Sequence, residues 1–122
     1  MPIRYKVVKK TKKGYTSAFA KYSAKVTYKI GEFVTAPTYL RKEQYHLLVF
    51  DSLENAKRYA RKINRKTMKI FRCEVLNKTP LRGKRGIAFV QKSYFHLPFF
   101  GDDWPTGTEM WEQVKLLEEV KI

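Results

Sequence analysis

A chain of 122 residues is long enough for one hydrophobic core and short for two, so a single domain over 1–122 is expected. Hydrophobic residues supply 43% of it and aromatics 15%, which excludes a disordered chain, and the lone Cys73 excludes a disulfide framework or a zinc site built on several cysteines. The formal net charge is +15 and unevenly carried: residues 1–100 hold 24 Lys and Arg against five acids, residues 101–122 hold two against six, and such self-repulsion favours a polyanionic partner.

Ile3 to Val8 alternates apolar and charged residues with period two and predicts a first strand, followed by a polar turn over Lys9-Lys10-Thr11-Lys12-Lys13-Gly14. Tyr15 to Ala20 and Ala24 to Ile30 predict two more strands, the second with Val26, Tyr28 and Ile30 on one side and Lys25, Thr27 and Lys29 on the other. An antiparallel meander with a wet basic face follows. Gly31 and the stretch Thr35-Ala36-Pro37-Thr38 break the pattern.

Tyr45 to Phe50 is a nearly continuous apolar run, as in a central strand. Asp51 can cap the helix that follows, with Glu54 as its capping-box partner, and Leu53, Ala56, Ala60 and Ile63 share one face. Thr67 to Leu76 alternates again, so 45–76 predicts a strand, helix, strand unit. Residues 78–86 form a basic loop, Ile87 to Val90 a short strand, and the aromatic segment Ser93 to Pro105 an irregular lid. Towards the end, Thr106 and Glu109 fit a capping box and Met110, Val114 and Leu117 a helical stripe, although Val114-Lys115-Leu116 could open a closing strand; helix is favoured. The expected fold is α+β: a mostly antiparallel sheet of five or six strands, one well-defined amphipathic helix and a C-terminal helix.

Three basic clusters stand out. They are Lys9, Lys10, Lys12 and Lys13 in the first turn; Lys57, Arg58, Arg61, Lys62, Arg65 and Lys66 along the helix; and Arg82, Lys84 and Arg85 in the later loop. On one surface they would track a phosphate backbone and give mostly sequence-independent affinity. Tyr5, Tyr15, Tyr22, Tyr28 and Tyr39, interleaved with the cations, could stack on bases, though tyrosines on strands are more often half-buried core. Cys73, in an alternating run, reads as a small buried hydrophobe.

His46 and His96 are the only histidines, and a pair that met in space could serve a metal-independent ribonuclease, one removing the 2′-hydroxyl proton while another group protonates the leaving oxygen. Asp102, Asp103, Glu109 and Glu112 lie in one loop and helix start, which a helix N-terminus explains without a metal. Gly83 and Gly86 make neither phosphate-loop nor dinucleotide spacing, so neither cofactor nor metal is implied. No apolar run approaches the roughly 18 residues needed to span a membrane, and the opening residues lack the apolar stretch of a secretory signal, so a cytoplasmic protein without a membrane partner is expected.

Tyr5-Lys6-Val7-Val8, Ser17-Ala18-Phe19-Ala20, Phe50-Asp51-Ser52-Leu53-Glu54-Asn55-Ala56 with Tyr59-Ala60, and Cys73-Glu74-Val75 follow one another in an order that resembles small uncharacterised proteins of phages, archaeal viruses and other mobile elements. The resemblance implies a viral or mobile-element origin, which would place the chain in a host cytoplasm, and a closing C-terminal strand; it implies no activity. Taken together, the residues point to non-catalytic binding of DNA or RNA. The alternatives are a ribonuclease using His46 and His96, and an interaction protein that binds an acidic host protein.

Overall fold

A computed structural model of the chain describes residues 2–12, 14–17, 26–42, 46–63, 68–81, 87–90, 93–96 and 106–121. Its elements run β1 (Ile3–Thr11), β2 (Gly14–Ser17), β3 (Thr27–Tyr28), β4 (Phe33–Val34), α1 (Thr38–Lys42), β5 (Leu47–Phe50), α2 (Leu53–Ile63), β6 (Met68–Thr79), β7 (Ile87–Val90), β8 (Ser93–His96) and β9 (Thr108–Val120). The fold is α+β and mostly antiparallel, with seven strands in one sheet and β7 and β8 paired as a second. No helix among the described residues is long and apolar enough to cross a membrane.

The large sheet closes on itself. β1 pairs with β6 along one edge, Ile3↔Glu74 to Lys9↔Met68, and β6 pairs with β9 along its other edge, Ile70↔Val120 to Thr79↔Met110. β5 then joins the free edges of β1 and β9, through Tyr5↔Phe50 and through Leu47↔Trp111 to Phe50↔Thr108, so the four strands form a ring. Towards the other end β2 and β3 continue from β1 and β4 continues from β9. The turn between β3 and β4 is tied across to β9, because Gly31 N donates to Leu116 O at 2.8 Å.

Closure gives β1 two covered faces. Val8, Tyr28, Val49, Phe71, Cys73, Val75, Trp111, Val114 and Leu116 belong to the core inside the ring, whereas Val7, Phe50, Met68 and Ile70 pack outward against Ala56, Tyr59 and Ala60 of α2. Alternation therefore points Lys6 inward with Val8. The wet face expected of the meander holds at Thr27 and Lys29, which are exposed opposite the buried Val26 and Tyr28, but fails on β1: Lys6 is 7% exposed, donates from Nζ to Leu48 O at 2.5 Å and stands 5.5 Å from the Tyr28 ring centroid.

The strand, helix, strand unit is present as β5, α2 and β6. Both strands run antiparallel to β1 and flank it, so α2 crosses over β1 to connect them. Ala56 and Ala60 are buried as expected, and Tyr59 joins their face; the side chain of Ile63 lies outside the described ones. The helix cap differs from the expected one. Ser52 Oγ accepts the Asn55 N–H at 3.2 Å in the N-cap position, while Asp51 Oδ1 accepts from Asn55 Nδ2 at 2.8 Å.

The C-terminal segment is a strand. β9 runs the full length from Thr108 to Val120, and the expected capping box does not form; Glu109 instead pairs with Arg4. Met110, Val114 and Leu117 do not form one buried stripe: Met110 and Val114 are buried, whereas Leu117 is half-buried and is the extra residue of a β-bulge, Cys73 pairing with Leu116 and Arg72 with Glu118. Lys9, Lys10 and Thr11 belong to β1 rather than to the turn, and Ile30, expected inside, is 53% exposed. α1 and β4 arise where the sequence showed only a broken pattern. Of the aromatic lid, Ser93–His96 is β8, and the rest lies outside the described residues.

Candidate nucleic-acid interface

The registers sort the cations by end. β1 runs towards Lys9, which lies opposite Met68 at the start of β6, and α2 runs from Asp51, next to Phe50, towards that same start. The C-terminal turn of α2 and the β1–β2 turn therefore share one end of the ring. Lys9 stands two residues beyond Val7, on the face that α2 covers, and is half-buried; Lys10 and Lys12 are exposed. On α2, Lys57 is half-buried, Arg58 and Arg61 are exposed, and Arg58 Nη1 donates to Asn55 Oδ1 at 3.2 Å.

Two of the three clusters thus contribute to one region, Lys9 to Lys12 and the later part of α2. Lys62 lies in α2, but its side chain is outside the described ones; Lys13, Arg65, Lys66, Arg82, Lys84 and Arg85 are outside the described residues altogether. Three cations outside the predicted clusters join the same end, Lys29 among them, which the sequence places on a wet strand face. Lys69 follows Met68 on β6, Lys121 follows Val120, which lies opposite Ile70, and Lys29 follows Tyr28, which lies opposite Tyr15 beside the β1–β2 turn. Their meeting at this end rests on pairing register, which local sequence does not give. The nearby acids are Glu32, Glu118 and Glu119.

The opposite end is neutralised. Glu109 is the hub: Oε1 accepts from Arg4 Nε at 2.7 Å and from Trp111 Nε1 at 2.9 Å, Oε2 lies 3.4 Å from Lys78 Nζ, and the Arg4 guanidinium stands 5.5 Å from the Trp111 ring centroid. Burial alone would raise the Glu109 carboxyl, but the hydrogen bonds from Arg4 and Trp111 and the charges of Arg4 and Lys78 outweigh it and hold the group below its ordinary value. Arg72 with Glu118 at 2.7 Å and Lys115 with Glu74 at 3.6 Å complete the ion pairs among the described residues. None of these pairs uses a cation of α2 or of the β1–β2 turn.

A cleft of about 320 Å³ opens beside Glu109, lined by Asp51, Lys78, Thr79, Gly107 and Met110 among others. Its charged groups are already engaged: Glu109 and Lys78 with each other, and Asp51 with Asn55.

Of the remaining candidates, the two histidines stand at different sheets. His46 is half-buried just before β5 in the large sheet, with its Nδ1 buried and without a hydrogen-bond partner. His96 ends β8 opposite Ile87 in the second sheet, and its side chain lies outside the described ones. Tyr28 is 2% exposed and closed to a base; Tyr15 is half-buried with its ring near-perpendicular to that of Phe71, centroids 4.8 Å apart, and Tyr5 is half-buried against α2. Tyr22 and the side chain of Tyr39 are outside the described ones, as are Asp102 and Asp103. Cys73 is fully buried, and burial pushes its thiol up to about 12, as suits a packing residue. Compared with known protein families, with curated proteins and with solved structures, the chain matches none.

Proposed function

We propose that the chain binds nucleic acid through a sequence-independent electrostatic footprint at the end of the sheet where the β1–β2 turn meets the C-terminal turn of α2. The observation that carries this reading is the division of the cations. The ion pairs among the described residues take up Arg4, Arg72, Lys78 and Lys115, and leave Lys10, Lys12 and Arg61 exposed at one end without an acid partner. Exposed, unpaired cations on separate elements that meet at one end suit the spaced charges of a phosphate backbone, where each neutralised phosphate releases condensed counterions.

The test is fluorescence anisotropy of labelled duplexes and single strands across a salt series, with any RNA run on a gel afterwards. Affinity that falls with a log–log slope of roughly 0.7 to 0.9 per phosphate contact, with the RNA intact, is the expected result. Cut RNA, lost on changing His46 or His96 to alanine, would move the reading to a ribonuclease. Absence of binding at low salt would leave an acidic protein as the remaining partner for the charge.

A further inference from the structure

Ile30 is one of two large apolar side chains exposed among the described residues, at 53%; the other, Leu81, is in the cleft at the opposite end. Its backbone is fixed. Glu32 N donates to Lys29 O at 3.2 Å, Gly31 has φ 86°, and Ile30 itself is not at positive φ, which together define a type II turn with Ile30 in its first central position. The hydrogen bond from Gly31 N to Leu116 O anchors that turn to β9.

The turn stands among the cations. β3, which pairs Tyr28 with Tyr15 of β2, leads straight through Lys29 into this turn, and β2 begins at Gly14, directly after the β1–β2 turn that carries Lys12. Lys10, Arg61, Lys69 and Lys121 share this end, and Glu32 is the acid of the turn itself. A rigid aliphatic projection flanked by lysines is the arrangement by which proteins prise apart a base step while cations hold the phosphates on either side.

Resting on the nucleic-acid reading above, we propose that Ile30 is a wedge that enters a base step of double-stranded DNA and kinks it. The chemistry favours a duplex over a single strand. Single-stranded bases are held by stacking on flat aromatic faces, whereas an aliphatic side chain gains most when sandwiched between two bases. DNA is favoured over duplex RNA because pyrimidine–purine steps of B-form DNA unstack easily and its minor groove opens as it kinks. One aliphatic side chain is too little to hold a bilayer, where even a full myristoyl chain binds marginally.

The test uses the full chain and a DNA duplex of about 20 base pairs with a central TA step, carrying a fluorescent donor and acceptor at its ends. The wild type is expected to shorten the end-to-end distance on binding. Ile30→Ala, at an exposed position that leaves the melting temperature unchanged, should abolish the shortening and bind about tenfold more weakly at an unaltered salt slope, while Ile30→Leu keeps both. If Ile30→Ala bends and binds as the wild type does, the wedge is overturned and the electrostatic reading stands. If the wild type fails to bind any nucleic acid, both fall. Binding to duplex RNA with the same dependence on Ile30, or Ile30-dependent binding only to vesicles rich in phosphatidylserine, would also overturn it.

Discussion

A lysine side chain inside the ring is the least expected single feature of this molecule. Burial lowers the Lys6 ammonium from 10.5 to about 8; the charge of Cys73 is the opposing influence, but that thiol, pushed up to about 12, stays neutral near pH 8 and lends Lys6 no counter-charge. Between pH 8 and 10.5 the unfolded chain therefore holds a proton that the folded chain has released, so stability rises with pH through that window, by about 3 kcal/mol from this group. Cys73 works in the opposite sense from about pH 9, the ordinary value of its thiol, to about 12, because there the folded state keeps a proton that the unfolded state loses. The Lys6 contribution is isolated by urea melts of the wild type and of Lys6→Met at matched pH: the wild type should gain on the variant between pH 8 and 10.5. A constant difference would show that Lys6 does not release its proton there. Glu109 behaves as an acid with a depressed value, so its contribution is present above its ordinary 4.5 and lost as pH falls through the lowered folded value. Glu109→Gln removes the charge that Arg4 and Lys78 face, and should cost about 2 kcal/mol at pH 7, with the difference from wild type shrinking in acid.

Elements show where sequence reading succeeds and where it stops. β5, α2 and β6 were legible because local signals agree with the tertiary demand: an apolar run, a polar start, a helical apolar stripe, then alternation. β9 was not, because Leu117, a half-buried bulge residue, completes a helix-like spacing with Met110 and Val114, and because Trp111 and Val114 share one core at an odd separation. The change of face between them coincides with Asn77 on β6, whose φ is 59°. The inward direction of Lys6 was equally hidden, since it follows from ring closure by β5, a pairing between segments more than forty residues apart. In the candidate site the clusters on β1 and α2 were legible as charge, but their convergence rests on the register Lys9↔Met68. Joints between elements give two predictions. Gly107 has φ 83°, and a Cβ there would collide with the side chains of Asn55 and Asp51 at the start of α2, while its carbonyl accepts from Asp51 N at 2.9 Å. Gly107→Ala should therefore destabilise the fold by more than about 1 kcal/mol, seen as a lower denaturation midpoint at unchanged slope. Ser52→Ala removes the acceptor of the Asn55 N–H and should cost about 1 kcal/mol in the same measurement; no change would reassign the cap to Asp51.

At the scale of the whole molecule, the proposed polyanionic partner raises the question of which of the 26 Lys and Arg residues it would engage. Three of the described acids stand in ion pairs that hold the sheet together, Glu109 joining β1 to β9, and Glu74 and Glu118 joining β6 to β9. Their cations are already neutralised by the fold and have little counterion to displace from a polyanion. Lys12 and Arg61 have no such role, so the energy that exposes them as like charges at one end is recoverable only by an outside anion. The two groups should differ in salt dependence as well as in affinity. Lys12→Gln and Arg61→Gln should each reduce the slope of log affinity against log salt by about one, with the double variant adding the two effects, and should leave the melting temperature of the free protein unchanged or raised. Lys115→Gln, which removes a charge of the same sign from a paired site, should leave the slope as it was and lower the melting temperature slightly. If all three variants shift the slope equally, binding follows net charge alone and no end of the sheet is privileged; if only Lys115→Gln shifts it, the footprint lies on the β4–β9 side of the sheet, where Lys115 stands 4.8 Å from the Phe33 ring centroid.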